Sequence, residues 1–161
     1  MNKIKAVALD VDGVLTDGTF VWGANGEEYK KFCFLDIMGI SIGVKSGLIF
    51  ALISGEDNPL IDRYATKMGI IDTYKGCKDK ASALKNFAQK YNLPLQQVCF
   101  MGDDINDASA MELAGLAAAP STAHEDAKVK ANLVTKCPGG NGAVRELIDF
   151  ILSSRRGESS S

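Results

Sequence analysis

No apolar run in this chain approaches the ~18 residues that a membrane-spanning helix needs. The stretch before Asp10 lacks the charged and apolar regions of a secretory signal peptide, so none is expected. Neither sign of charge dominates. Eighteen basic against 20 acidic side chains leave a net −2, which offers no electrostatic case for nucleic acid or an anionic membrane. The four cysteines (Cys33, Cys77, Cys99, Cys137) form no CxxC pair and no metal-ligand rhythm, so a cytoplasmic protein with reduced thiols is expected. The single histidine, His124, reads as a surface residue near a helix start, and no catalytic triad is expected around it. No internal repeat or interdomain linker is present. One domain is expected over residues 1–152, long enough to bury about 70% of its unfolded surface. The segment 153–161, SSRRGESSS, has the polar, low-complexity composition of a disordered tail.

What is present is an alternation of strands and helices. Ile4–Leu9 reads as a buried strand, and Thr19–Trp22 with Glu27–Phe32 flank GANG, whose Asn25-Gly26 is a favoured hairpin turn. Asp36 can cap a helix running to Ser46, with Gly47 as its stop. LIFALIS (48–54) and VCFM (98–101) are continuous apolar runs of the kind found in central parallel strands. Asn58 or Asp57 caps a second helix, with Pro59 in its first turn and Gly69 at its end. A strand at 70–74, a helix at 79–91, a strand at 116–119, a helix near 125–131, a strand at 133–135 and a final helix at 143–152 complete the order. This pattern predicts a doubly wound, three-layer α/β fold with a parallel sheet and a β-hairpin after the first strand.

In such sheets chemistry collects at the carboxyl ends of the strands. Asp10 and Asp12 follow the first strand, with Asp17 close behind. Ser54-Gly55 ends another, Lys80 lies just past a third, and Gly102-Asp103-Asp104 follows VCFM. Alone, each signal is an ordinary turn or cap. Together they predict one shared site. Like charges this close repel and resist desolvation, and a divalent cation relieves that; carboxylates with a backbone carbonyl suit Mg²⁺. Ser54 and Lys80 could hold a phosphate beside it.

DVDGVLTDG, LISGE, GCKDK and GDDIND resemble the four motifs of the haloacid dehalogenase superfamily of phosphatases, over about residues 5–152. Within it the chain resembles the capless 3-deoxy-manno-octulosonate 8-phosphate phosphatase group, down to GGNGAVRE (139–146). The resemblance implies Asp10 as nucleophile and Asp12 as general acid and base. It implies Mg²⁺ on the Asp10 and Asp103 side chains and the Asp12 carbonyl, with Asp104 and Asp107 behind them. Ser54 and Lys80 would hold the transferring oxygens. The Gly140-x-Gly142 pair lacks a following βαβ unit and is no dinucleotide fingerprint. It reads as a tight turn.

Only 36 residues separate Asp17 from Ser54, too few for an inserted cap domain. In the resembled group the neighbouring subunits of a homotetramer supply this cover, the hairpin completing the next site. Phe20 and Trp22 on that hairpin fit either core packing or a partner face. Substrate binding is expected at Ser54, Gly55, Glu56, Asp36, Lys67 and Lys80, on a small-molecule sugar phosphate. Here the chain departs from the octulosonate enzymes: Leu35, Glu56 and Tyr64 stand where those carry arginine. Glu56 instead looks like the related nonulosonate 9-phosphate phosphatases, so a 9-phosphate sugar acid is the first expectation and an octulosonate 8-phosphate the alternative. A phospho-receiver domain would carry its acceptor after a middle strand rather than the first. A non-catalytic assembly module would have no need of all five site residues.

Overall fold

The computed structural model describes residues 3–159. Six parallel strands form one sheet: β1 (Ala6–Leu9), β4 (Ile49–Ile53), β5 (Asp72–Tyr74), β6 (Val98–Met101), β7 (Leu116–Ala119) and β8 (Leu133–Val134). Their order is β5-β4-β1-β6-β7-β8, and β2 (Val21–Trp22) pairs with β3 (Glu28–Tyr29) as a separate antiparallel hairpin. β1 is central because both its faces are apolar. Val7 and Leu9 enter one core with α1 (Phe34–Lys45), α2 (Pro59–Met68) and α6 (Ala143–Ser159). Ala6 and Ala8 enter the other, with α3 (Lys80–Lys90), α4 (Ala108–Leu113) and α5 (Glu125–Lys128). The three-layer doubly wound architecture is therefore as the strand–helix alternation predicts. Among the described residues, no helix is long and apolar enough to cross a membrane.

Two local expectations need correction. Asp36 does not cap α1, which starts at Phe34 after Cys33. Asp36 is fully buried, and its Oδ1 accepts the Arg145 N–H at 3.1 Å. The first turn of α6 leaves N–H groups without helical partners, and a carboxylate on the neighbouring helix supplies one. The segment 153–161 is not a disordered tail through 159: α6 continues to Ser159, while 160–161 lie outside the described residues. Arg155 anchors this extension, its guanidinium donating to Ile4 O (2.7 Å) and Ser46 O (3.0 Å). Tertiary hydrogen bonds override a composition that by itself would not hold a helix.

Candidate active site

Register brings the motifs together. Leu9 of β1 lies opposite Leu52 of β4 and Met101 of β6, so the residues just past these strands emerge side by side. Asp10 N–H donates to Met101 O (3.0 Å), Ser54 N–H to Tyr74 O (2.8 Å) and Gly102 N–H to Ala118 O (3.1 Å), which carries sheet-like order one residue beyond each strand. Lys80 opens α3 from the fourth direction, behind its Asp79 cap.

A cavity of about 330 Å³ results, lined by Asp10, Asp12, Ser54, Gly55, Glu56, Asp103, Asp104 and Asn106. Of the residues expected to touch substrate, Gly55 and Glu56 stand here with Ser54. Lys67 lies instead in an adjoining region, a cavity of about 540 Å³ that it shares with Lys30, Phe32, Ile37, Leu60, Arg63 and Tyr64. Asp36 lines neither and is corrected from a ligand to the helix cap described above. Asn106 and Lys30 were not legible in the sequence; a lone Asn in GDDIND and a KK pair after a strand carry no distinguishing signal.

Asp10, Asp103 and Asp107 each offer a carboxylate oxygen within 4.8 Å of the others. Lys80 Nζ reaches Asp107 Oδ1 (2.7 Å) and Asp10 Oδ1 (3.2 Å) from an almost fully buried side chain. Burial pulls the Lys80 ammonium down, but Asp10 and Asp107 outweigh it and hold the group above its ordinary value. Asp10 is held well above the carboxylate range by burial first and then by the Asp107 charge, with Lys80 opposing. Asp103 is pushed up to about 6, chiefly by burial, with the Asp107 charge adding to it. Asp107 is saturated by protein: Oδ1 takes Lys80, and Oδ2 takes the N–H groups of Asp103 (2.9 Å) and Asp104 (3.4 Å). It shapes the loop, leaving Asp10 and Asp103 as the exposed-facing pair.

Backbone fit tightens the cluster. Gly13, at φ +84°, would drive a Cβ to 1.8 Å from Asp103 Oδ2. Gly140, at φ +76°, lies against the Thr16–Asp17 backbone, and its N–H donates to Val14 O (3.1 Å). The GGNG turn is thus a brace behind the 13–17 loop. His124 Nδ1 caps α5 by accepting the Asp126 N–H (3.1 Å), while the His124 backbone N–H donates to Asp103 O (2.8 Å) and so steadies the loop that carries Asp103.

One lysine against three carboxylates, Asp10 and Asp107 buried and Asp103 half-buried, leaves an excess of negative charge, and hard oxygen donors facing a cavity fit a divalent cation such as Mg²⁺. Asp103 is protonated more readily in the metal-free fold than in the unfolded chain, whose aspartates titrate near 3.9. Between about pH 4 and 6 the native state therefore binds the extra proton, and its stability falls as pH rises through that window. Cation binding needs the ionised form. The gain in melting temperature from saturating Mg²⁺ over EDTA is expected to be about 5–10 °C at pH 7.5 and to shrink below pH 6. Paired melts across pH check this; a Mg²⁺ gain equal at pH 5 and 7.5 would remove Asp103 from the ligand set.

The haloacid dehalogenase-like hydrolase family model matches residues 44–147. The chain is 38% identical over 151 residues to the 3-deoxy-D-manno-octulosonate 8-phosphate phosphatase KdsC of Escherichia coli K12, covering 94% of this chain and 80% of that protein. Among solved structures, the 3-deoxy-D-manno-octulosonate 8-phosphate phosphatase of Moraxella catarrhalis, in complex with magnesium, phosphate and KDO, superposes with a TM-score of 0.91 at 35% identity over 94% of this chain and 87% of that one. The cobalt-bound Haemophilus influenzae phosphatase superposes at 0.90, with 34% identity over 94% of this chain and 88% of that one. The chain belongs to the haloacid dehalogenase-like hydrolase family, in the branch of phosphomonoester hydrolases that holds the KdsC phosphatases.

Proposed function

We propose that the chain is a Mg²⁺-dependent phosphatase acting on the phosphomonoester of a 3-deoxy-2-ulosonic acid, with 3-deoxy-D-manno-octulosonate 8-phosphate as its substrate. The observation that carries the reaction is the meeting of Asp10, Asp12, Asp103, Ser54 and Lys80 at three strand ends and one helix start. The relatives' names support the octulosonate ester and displace the 9-phosphate expectation from first rank.

Asp10 Oδ1 is engaged by the Val11 N–H (2.8 Å) and by Lys80, so Oδ2 is the oxygen left to attack phosphorus. The P–O bond to the sugar breaks as Asp12 donates a proton to the leaving alkoxide. Asp12 then takes a proton from the water that attacks the aspartyl-phosphate, releasing phosphate and restoring Asp10. The Ser54 hydroxyl and the Lys80 ammonium hold the transferring oxygens, where loss of one donor costs on the order of 10²–10³ in rate. Asp10, Asp103 and the Asp12 carbonyl would hold Mg²⁺, which when bound offsets the carboxylate charge and draws electron density from the phosphate. The sugar body would extend toward Arg63 and Lys67 in the adjoining cavity.

A second reading keeps the same reaction with a nonulosonate 9-phosphate. It is favoured by Glu56, a carboxylate in the wall of the Asp10 cavity that would prefer hydroxyl or amide donors and repel an acid group. Comparing kcat/KM for the two esters decides between them. A higher value for the octulosonate supports the first reading; a higher value for the nonulosonate supports the second. In either case Glu56→Arg is expected to shift the ratio toward the octulosonate by about tenfold, one favourable charge contact.

We also propose a homotetramer in which the hairpin of one subunit completes its neighbour's site. Phe20, Val21, Trp22 and Tyr29 are exposed on that hairpin, with the rings of Phe20 and Trp22 packed at 5.1 Å.

A further inference from the structure

Lysine is among the residue types least often buried. Yet the Lys30 side chain keeps only 2% of its surface exposed, on a hairpin that is otherwise open to solvent. Taking an ammonium out of water is costly unless a close partner compensates. The partner is Asp12: Lys30 Nζ lies 2.7 Å from Asp12 Oδ1, and 5.9 Å from the centre of the Phe20 ring. Lys30 also lines the 540 Å³ cavity, whereas Asp12 lines the 330 Å³ cavity. The lysine stands on the divide between them.

A second contact shows how the hairpin is aimed. Residues two apart on a strand share a face. Two residues before Lys30, Glu28 accepts a hydrogen bond from Asn58 Nδ2, and Asn58 Oδ1 caps α2 by accepting the Leu60 N–H at 2.9 Å. Tyr29, between them, points outward and is 56% exposed. One face of the hairpin therefore grips both the loop after Glu56 and the carboxyl of Asp12.

We propose that Lys30 is a positioning residue for proton transfer. By holding Oδ1 it fixes the carboxyl plane of Asp12, so that Oδ2 is the oxygen presented to the leaving group. Asp12 is about one-third exposed and, without that hold, could turn toward water. The ammonium neither gives nor takes a proton. The proton moves from Asp12 to the alkoxide as the P–O bond breaks, and from water back to Asp12 in the second half. Lys30 keeps the geometry the same for both, and misplacement by about 1 Å can cost 10²-fold. This inference rests on the phosphomonoester hydrolase reading and not on which sugar acid is the substrate.

Lys30→Met keeps the buried stem and removes the charge; Lys30→Arg keeps the charge. The readout is kcat on esters of differing leaving group: p-nitrophenyl phosphate, whose leaving group needs no proton, and glycerol phosphate, whose alkoxide does. Lys30→Met is expected to lose on the order of 10²-fold on the alkyl ester and less than about tenfold on the nitrophenyl ester, with Lys30→Arg recovering part of the difference. Mg²⁺ affinity and melting temperature, measured in parallel, are expected to stay near wild type. Equal losses on both esters, or an effect on KM alone, would overturn the proposal. If Lys30→Met does not fold, Lys30→Gln is put through the same two-ester comparison under the same criteria. A wild-type protein inert toward p-nitrophenyl phosphate with Mg²⁺ would instead strike the hydrolase reading itself.

Discussion

Asp10→Asn is expected to hydrolyse phosphomonoesters at least about 10⁴-fold more slowly than wild type, and yet to melt at a higher temperature in EDTA. The first half follows from chemistry: an amide has no anionic oxygen to form the covalent intermediate, and Asp12, the other carboxylate at that strand end, is tied to Lys30. The second follows from electrostatics. Burial and the Asp107 charge hold the Asp10 carboxyl well above its ordinary range, so its ionised form is disfavoured in the native state. At neutral pH, removing that charge relieves repulsion that Lys80 offsets only in part, and Lys80 keeps Asp107 as a partner. Steady-state assays with Mg²⁺ and melts in EDTA measure the two effects independently. A variant that is inactive and also less stable would mean that Asp10 mainly supports the fold.

The second large effect is expected from the hairpin. Phe20 (48% exposed) and Trp22 (71% exposed) together leave roughly 200 Å² of apolar surface in water, worth about 5 kcal/mol if buried against another subunit. Phe34, Leu35 and Met38 at the start of α1 add to the exposed apolar surface. Replacing both aromatic residues by serine is expected to weaken self-association on the order of 10³-fold or more and to dissociate the assembly at micromolar concentration. KM for the sugar phosphate should rise about tenfold, because the neighbour's hairpin no longer covers the site. Turnover of p-nitrophenyl phosphate, which asks little of a cover, should hold up better. Light scattering beside both assays reads the outcome. A wild-type monomer with full selectivity among sugar phosphates would refute the shared cover.

The layered fold was legible because the central strands β1, β4, β6 and β7 are short apolar runs and some helices carry their own punctuation, such as Asn58-Pro59 at the start of α2 and Gly69 at its end. The meeting of Asp10, Ser54 and Asp103 was legible for a related reason: in a parallel sheet, polar residues after strands share an edge. What stayed hidden depends on partners far along the chain. Asp36 looks like any first-turn acid until Arg145, 109 residues later, is seen to donate to it. SSRRGESSS reads as a tail because nothing local announces that Arg155 will reach Ile4 O and Ser46 O. Lys30 and Lys31 are indistinguishable in sequence. Only the hairpin's tilt sends one of them to Asp12 and the other to the cavity that Asp17 lines.

The brace formed by the GGNG turn gives the molecule a temporal property. The nucleophile and its loop leave the ribosome more than 120 residues before Gly139 and Gly140, which back that loop, and Arg155 ties α6 to Ile4, just ahead of β1, later still. Contacts spanning 151 residues form late in any vectorial folding process. A nascent chain therefore holds an unsupported carboxylate cluster until residues 139–155 have emerged, and competence for phosphoryl transfer arrives with that segment rather than growing in step with length.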